Sequence, residues 1–487
     1  MDYFKLGETE MKMIIAGEHV ASKDNKELPV YNPYTGEVVD TVPAATKEDI
    51  DYAARFAVKA QKKWRDVPVH KRVDLAYRFL EIVKEHKEEL AVLLTEESGK
   101  PIRQSRIEIN NIFISWRAFC EKAKHIYGSV IPEGQEENHD GDIVITTREP
   151  IGVVACVIPF NFPCNLFNQK VAPAILSGNA AIVKPSMENP LTVGKLVGYL
   201  KEAGVPDGVV QYVTGKGSEI GRFISENPDI EALTLTGSTA VGVNVAKSAA
   251  GTLKTVALEL GGNDAFIVLE DATLDTAVKE AVNTRFFNAG QICCAPKRFI
   301  IHKSLYNEFV ERVVSEVKKF KIGAPLDDTT DIGTLINEDA AIEVEKQINM
   351  TVEQGGKIAC GGKRDKTVIE PTVLIDVPYS ADIMHDVEVF GPVIACCPFE
   401  DDEEALALAN DTKFGLGASV FTNDIKKAVY FSKHFEAGSV VINGSSYFRS
   451  FEMPFGGYKK SGIGTEGVYS TFNELTKLKC VILKGII

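Results

Sequence analysis

The sequence predicts an α/β protein made of two doubly wound parallel-sheet domains with a small β element beside them, and three observations carry that prediction. From about residue 150, short and almost wholly apolar runs alternate with helix-length segments: IGVVACVIP, NAAIVKPS, GVVQYVTG, IEALTLTGS and TVALELGG. Strands covered by helices on both faces read as such continuous runs, and helical crossovers between them make neighbouring strands parallel. A second set of the same texture follows residue 296, in KRFIIH, KIACGG, PTVLIDVP, GPVIACCPFE, GLGASVFT and GSVVING, interleaved with helices such as KSLYNEFVERVVSEVKKF and DDEEALALANDT. Finally, 487 residues are more than one hydrophobic core organises, so two or three domains are expected.

The patterned sequence begins only at MIIAGEHV, so Met11 or Met13 serves equally well as the natural start, and the first ten residues read as a leader or a misassigned start. Residues 46–127 repeat apolar positions at helical spacing with mixed charge between them, as in TKEDIDYAARFAVKAQKKW. They read as amphipathic helices packed on one side. The polar, extended stretch 128–150 and the C-terminal ELTKLKCVILKGII have β texture but no partner in either core. Such edges are covered by pairing, here with each other or with another subunit.

A composition of 45% hydrophobic and 25% charged residues is that of an ordinary globular protein. Its net charge of -14 argues against nucleic acid or an anionic membrane as the main partner, since both require a basic face. The segment MDYFKLGETEMKMIIAGEHV lacks the long apolar stretch of a signal peptide, and no window approaches the 18 or so apolar residues of a membrane span. Nine cysteines, at 120, 156, 164, 293, 294, 360, 396, 397 and 480, form no CxxC pair and accompany no histidine cluster at zinc spacing. That pattern suits free thiols in a reducing cytosol, without a structural metal. A cytoplasmic protein is expected.

Two glycine-marked turns follow successive strands of the first set. LTLTGSTAVG (233–242) is an apolar strand, a Gly-Ser turn at Gly237 and Ser238, and a helix start, which aims backbone N–H groups at an anion. Its GxxxxG spacing is that of a P-loop, but Val243 and Asn244 stand where a P-loop needs Lys and Ser or Thr, so an ATPase or kinase reading fails. VTGKGSEIG (213–221), with Gly217 and Gly221, is one residue longer than the dinucleotide fingerprint. Together the two turns favour a dinucleotide lying across the strand ends. Lys184, in NAAIVKPSMENP, ends a buried strand beside them and is placed to reach ribose or phosphate.

The reactive residues lie elsewhere. FFNAGQICCAPKR (286–298) carries the adjacent Cys293 and Cys294. A cysteine nucleophile needs a base for any hydrolytic second step and donors for the developing oxyanion. Glu259, inside the apolar strand TVALE and just before Gly261 and Gly262, is a candidate base, since burial raises a carboxyl pKa toward neutrality. Asn161, in IPFNFPCNL between aromatics and prolines, is a candidate oxyanion donor. Successive side chains of an extended segment face opposite ways, so only one of the two sulfurs is expected to point at the reacting carbon.

With these residues in hand, the chain resembles the aldehyde dehydrogenase superfamily over nearly its whole length. The motifs stand in family order: PFNFP with Asn161, KPS with Lys184, TGSTAVG, LELGG with Glu259, NAGQICCAPKR, EVFGPV with Glu388 and Phe390, and PFGGYKKSGIG. The resemblance selects Cys293 as the nucleophile by its Gly-Gln spacing and leaves Cys294 packed beside it. It implies attack of the Cys293 thiolate on an aldehyde, an oxyanion held by Asn161 and the Cys293 N–H, hydride loss to a nicotinamide, and hydrolysis of the thioester by water that Glu259 activates. Relatives that acylate coenzyme A often lack that base, so its presence favours release of the free acid. Retention of Cys293, Glu259 and Asn161 together argues against a catalytically idle member. Acyl-phosphate-forming Cys-His dehydrogenases are a further rival, but His302 opens the helix after KRFII and reads as structural.

The same resemblance assigns Glu388 and Phe390 to the nicotinamide-side ribose and Lys184 to the adenosine-side ribose. It divides the chain into a dinucleotide-binding domain (1–127 and 148–260), a catalytic domain (261–468) and an oligomerisation element (128–147 and 469–487) in a homodimer or homotetramer. Many NAD-preferring members carry Glu three residues after the Lys184 position, where it repels a 2'-phosphate. Here Met187 occupies it, with Glu188 one step off and Ser186 close by, so NADP is slightly favoured over NAD. Thr465 replaces a common Arg, with little chemical consequence expected. Arg449, in NGSSYFRSFEMPFGG, and Arg103, in GKPIRQSR, are expected at the substrate mouth, suiting a short hydroxylated or anionic aldehyde. Ile292 and Cys294 flank the nucleophile on the substrate side, and Ile292 stands where several phosphate-handling relatives place an arginine.

Overall fold

The computed structural model describes residues 11–486, so the reading of residues 1–10 lies outside the described residues. Two short strands come first, β1 (Met13–Ile15) and β2 (Glu18–Val20). Four helices follow: α1 (Lys47–Trp64), α2 (Val69–Glu85), α3 (Lys87–Ser98) and α4 (Ile102–Ala123). A capping box fixes the start of α1, with Thr46 and Asp49 each bonding the other's backbone N–H. The strands β3 (Val130–Ile131) and β4 (Ile143–Pro150) lead into the first α/β unit. That unit runs β5 (Val153–Val157), α5 (Pro163–Leu176), β6 (Ala180–Lys184), α6 (Leu191–Glu202), β7 (Val210–Tyr212), α7 (Gly217–Glu226), β8 (Ala232–Thr236), α8 (Thr239–Ala250) and β9 (Thr255–Glu259). The second holds β10 (Ala265–Val268), α9 (Leu274–Arg285), β11 (Arg298–His302), β12 (Lys357–Cys360), β13 (Thr372–Ile375), β14 (Val393–Phe399), β15 (Gly417–Phe421) and β16 (Ser439–Ile442). Two strands close the chain, β17 (Gly462–Ile463) and β18 (Thr476–Leu483).

The first sheet has the order β2-β1-β7-β6-β5-β8-β9-β17, and its five central strands β7, β6, β5, β8 and β9 are parallel. The chain winds outward from β5 through β6 to β7, then returns to β8 on the other side. That reversal opens a crevice at the carboxyl ends of β5 and β8, the usual ligand position in a doubly wound sheet. The second sheet, β12-β13-β14-β11-β10-β15-β16, is parallel except for β12 on β13. All residues of β6, β8, β10 and β15 are buried, which is why these strands read as unbroken apolar runs. Buried indoles tie the N-terminal helices to α5: Trp64 donates to the Ile175 carbonyl and Trp116 to Asn168 Oδ1, both at 2.8 Å.

Two boundaries differ from the expected ones. β17 pairs antiparallel with β9, and Val468, Phe472 and Leu475 of the following segment pack into the core shared by α4 and α5. Residues 462–475 therefore complete the first unit, because the apolar face they cover belongs to it. At the other boundary, β4 runs unbroken through residue 148 and pairs along its whole length with β18, from Ile143 opposite Leu483 to Pro150 opposite Thr476. The two unpartnered β stretches thus pair with each other, and β3 completes a three-stranded sheet. Among the described residues no helix is long and apolar enough to cross a membrane, and all nine cysteines are free thiols.

Candidate active site

The crevice of the first sheet presents the residues expected to hold a nucleotide. Lys184 is the last residue of β6 and is buried; its ammonium makes one hydrogen bond, to the Pro185 carbonyl at 2.9 Å. Burial pulls it down to about 8. A Cβ added at Gly217, the first residue of α7, would stand 3.8 Å from that ammonium, so the glycine and Lys184 face each other. A Cβ at Gly221 would meet nothing within 4 Å. Beyond β8, Gly237 makes the turn and Ser238 caps α8 by accepting from the Val241 N–H at 3.4 Å. Thr236 Oγ1, at the end of β8, is buried without a hydrogen-bond partner among the described residues. A half-unpaired buried cation, an orphaned hydroxyl and the N-termini of two helices, α7 and α8, that pack on each other fit a dinucleotide phosphate and ribose. Met187 is half-buried in an apolar cluster with Val30, Leu93 and Leu191, and its sulfur accepts from the Gly215 N–H at 3.2 Å. Ser186 Oγ accepts from the Glu188 N–H at 3.3 Å, and Glu188 is exposed.

The nucleophile loop joins α9 to β11 through a short 3-10 turn with three successive left-handed residues, Asn288 (φ 51°), Ala289 (φ 50°) and Gly290 (φ 75°). Such backbone persists only where its surroundings determine it. Arg285 grips it from within, donating to the carbonyls of Gly290, Val389 and Val393, while Gln291 bonds Asn288 and accepts from the Ile336 N–H. A Cβ at Gly290 would lie 2.1 Å from the Gly391 carbonyl, so glycine alone fits there.

Residues 293 and 294 then form a turn rather than a strand. The expectation that only one sulfur faces the site is therefore corrected: alternation applies to extended backbone, and on this turn both Cys293 and Cys294 line the same cavity. The hydrogen bond with Cys294, and then burial, push the Cys293 thiol up, and the Lys297 ammonium opposes them. Lys297 is buried and donates to the Cys293 carbonyl at 2.7 Å, with Glu388 Oε1 3.5 Å away. Glu388 Oε1 also accepts from the Gly262 N–H at 3.1 Å, an approach so close that a Cβ on Gly261 would lie 2.3 Å from Glu388 Oε2. Phe390 packs edge-on to Phe160, with ring centroids 5.9 Å apart.

Asn161 lies in the loop between β5 and α5, across the cavity from this turn. Its carbonyl accepts from Lys100 at 2.8 Å and Asn288 at 3.0 Å, and its Oδ1 from the Phe162 N–H at 3.0 Å. Those bonds orient the amide and leave Nδ2 as the end that donates to nothing among the described residues. Lys100 is itself buried and paired with Glu108, which accepts from the Cys164 N–H at the start of α5. Glu259 ends β9, buried, with Oε2 unpartnered. Burial first, then the Glu466 charge, hold its carboxyl well above the usual range, with a smaller contribution from Cys293. Glu466 pairs with Lys170 at 2.6 Å and with Arg449 at 3.6 Å.

A cavity of about 540 Å³ joins Asn161, Cys293 and Cys294 to Ile292, Arg449 and Glu466. Arg449 stacks over the Phe455 ring at 3.7 Å, so its guanidinium is held between an aromatic face and a carboxylate. Arg103 lies elsewhere: it donates to Asp331 at 2.7 Å and to the Thr330 carbonyl at 2.9 Å, in a separate depression. Its expected place at the substrate mouth is corrected, because Asp331 draws the side chain to the outer face of α4. His302 caps the helix after β11, accepting from the Ser304 N–H, which agrees with its structural reading.

Sequence reasoning missed Lys100, Lys170, Glu466 and Lys297 as supports of the site. All four are buried charges. The signal for Lys170 was the single charged residue of α5, and for Lys297 the basic exit of the cysteine loop.

The aldehyde dehydrogenase family model matches residues 19–481. The lactaldehyde dehydrogenase of Methanococcus vannielii is 38% identical over 97% of this chain and 100% of that protein. The 3-sulfolactaldehyde dehydrogenase of Priestia megaterium is 36% identical over 94% of this chain and 95% of its own. Among solved structures, the succinate-semialdehyde dehydrogenase of Burkholderia pseudomallei superposes with a TM-score of 0.95 at 34% identity, covering 98% of both chains.

Proposed function

Because the chain belongs to the aldehyde dehydrogenase family, we propose that it oxidises a short hydroxylated or anionic aldehyde to the carboxylic acid at Cys293, with a slight preference for NADP over NAD. The carrying observation is that Cys293 and Asn161 line one cavity while the buried Glu259 is close enough to feel the Cys293 charge. Cys293 gives up its proton to solvent water and attacks the aldehyde carbon as the thiolate, and the resulting oxyanion takes hydrogen bonds from Asn161 Nδ2 and the Cys293 backbone N–H. A nicotinamide dinucleotide bound in the crevice supplies the hydride acceptor. Glu388 and Phe390 would hold its nicotinamide-side ribose, and Lys184, Ser186, Gly217, Gly221, Gly237 and Ser238 its adenosine half. Loss of the hydride leaves a thioester on Cys293. Glu259 then takes a proton from water, whose oxygen attacks the thioester carbon, and the acid leaves as the thiol is restored.

The NADP preference is supported by Met187, which puts an uncharged thioether where a carboxylate would repel a 2'-phosphate. The substrate class is supported by the lactaldehyde, 3-sulfolactaldehyde and succinate-semialdehyde dehydrogenases that this chain resembles. Assembly into a homodimer or homotetramer is supported by β18, an edge strand with Leu478, Val481 and Ile482 exposed. The test is a cofactor-reduction assay over lactaldehyde, glycolaldehyde, succinate semialdehyde, a phosphoaldehyde and a sulfoaldehyde, with both cofactors. Turnover of at least one with release of its acid is expected, and no cofactor reduction with any would refute the proposal.

A further inference from the structure

We infer that the cavity beside Cys293 selects a neutral aldehyde bearing a hydroxyl group near the carbonyl, read by the side-chain amides of Gln169 and Asn165. The inference rests on the proposed oxidation at Cys293 and narrows it to one of its two substrate classes.

The charges of the cavity come first. Its charged lining residues are Glu280, Arg449 and Glu466, two carboxylates against one guanidinium. Arg449 is opposed by Glu466 at 3.6 Å and packed on Phe455. Lys170, behind the wall, is spent on the same Glu466. When Glu259 is ionised for its work as a base, Lys170 and Arg449 are matched by Glu466 and Glu259. An incoming carboxylate, phosphate or sulfonate therefore finds no surplus cation. Arg449 Nη1, buried with no hydrogen-bond partner among the described residues, is open to such a group, but the guanidinium is already balanced by Glu466, so the added anion brings an uncompensated buried charge, which is costly.

The orphaned polar atoms come second. Gln169 is 2% exposed and lines the cavity, yet among the described residues neither its Oε1 nor its Nε2 has a hydrogen-bond partner. Asn165 Oδ1 is buried and unpartnered in the same wall. The two residues are four apart on α5, so they share one helix face about 6 Å apart along the axis. Asn161, in the loop just before α5, lines the same cavity, so the reading groups and the oxyanion donor share it. Buried amides left unpaired in a helix beside a cavity are groups awaiting a ligand. Their oxygens require donors, which an anionic head group at neutral pH lacks. A hydroxyl both donates to such an oxygen and accepts from such an amide N–H. Sites built this way reject the analogue without the hydroxyl, because the amides then stay unpaired.

The experiment compares kcat/KM for lactaldehyde (2-hydroxypropanal), propanal and 4-oxobutanoate in the wild-type enzyme, Gln169→Met and Asn165→Leu. Wild type is expected to favour lactaldehyde over propanal by roughly 10- to 100-fold, with 4-oxobutanoate no better than propanal. Each variant should bring the lactaldehyde to propanal ratio down by about tenfold or more while its propanal value stays within about threefold of wild type. A wild-type ratio near one, a wild-type preference for 4-oxobutanoate, or variants that turn over propanal and keep the full ratio would overturn the inference while leaving the oxidation standing. Should a variant fail to fold, as seen by loss of propanal turnover, the wild-type ratios decide alone. Failure of the wild type on all three aldehydes would overturn this inference, and the oxidation at Cys293 falls with it only if the wider aldehyde panel also gives no cofactor reduction.

Discussion

Replacing Glu259 by Gln separates the two halves of the proposed reaction. The amide keeps the shape of the carboxyl in its buried place but cannot take a proton from water. General-base catalysis contributes about 10²- to 10⁴-fold, and at ~1.36 kcal/mol per decade that is about 2.7–5.4 kcal/mol added to the deacylation barrier. Acylation does not use this group as a base in the proposed scheme. Stopped-flow absorbance should therefore show a burst of about one reduced cofactor per active site, followed by a steady rate two to four decades below wild type. The variant carries a second, thermodynamic signature. Burial and the Glu466 charge raise the Glu259 pKa above the unfolded value of 4.5, so the folded chain keeps a proton that the unfolded chain releases. Stability then falls as pH rises from the unfolded pKa through the folded one. Glu259→Gln escapes that loss, so its Tm advantage over wild type should widen from pH 5 to pH 8. A lost burst would refute the deacylation role, and a Tm difference independent of pH would refute the buried, unpaired carboxylate.

Three further outcomes follow from the same geometry. Cys293→Ser should abolish turnover while Cys294→Ser retains it, and the reverse result in steady-state assays would show that the wrong sulfur was chosen. Met187→Glu places a carboxylate where the thioether now accepts from the Gly215 N–H. It should move the kcat/KM ratio toward NAD by at least about tenfold, on the order of 1.4 kcal/mol of added repulsion; an unchanged ratio would refute the charge argument. Lys184, pulled down to about 8 by burial, loses its ammonium charge as pH rises through that value. NADP affinity measured by fluorescence titration should therefore weaken above about pH 8 in wild type, and this weakening should vanish in Lys184→Met. Equal pH profiles for the two proteins would rule Lys184 out as a cofactor contact.

Much of this was legible in the sequence because the two sheets are buried on both faces. β6 and β8 are mainly apolar, broken only by Lys184, Thr234 and Thr236, and Gly237 and Ser238 mark the turn after β8. Glu259 was visible because a carboxylate in an apolar strand has few reasons to be there. What the sequence concealed is tertiary. That Cys293 and Cys294 line one cavity is hidden because a CC dipeptide among apolar residues looks extended, whereas the segment forms a turn after the left-handed Asn288, Ala289 and Gly290. Arg103 has the same local pattern whether it faces a substrate or Asp331, and only the packing of α4 decides. The network of Lys170, Glu466 and Arg449 joins residues nearly three hundred positions apart, a distance over which periodicity carries no information.

The central claim is that the acyl group passes through the Cys293 sulfur. Glu259→Gln, mixed with lactaldehyde and NADP, quenched in acid during the slow phase and mapped by peptide mass spectrometry, tests it most directly. An acyl mass on Cys293 alone, at about one per reduced cofactor, is the predicted result. An acyl mass on Cys294, or reduced cofactor formed with no acyl-cysteine at all, would contradict it.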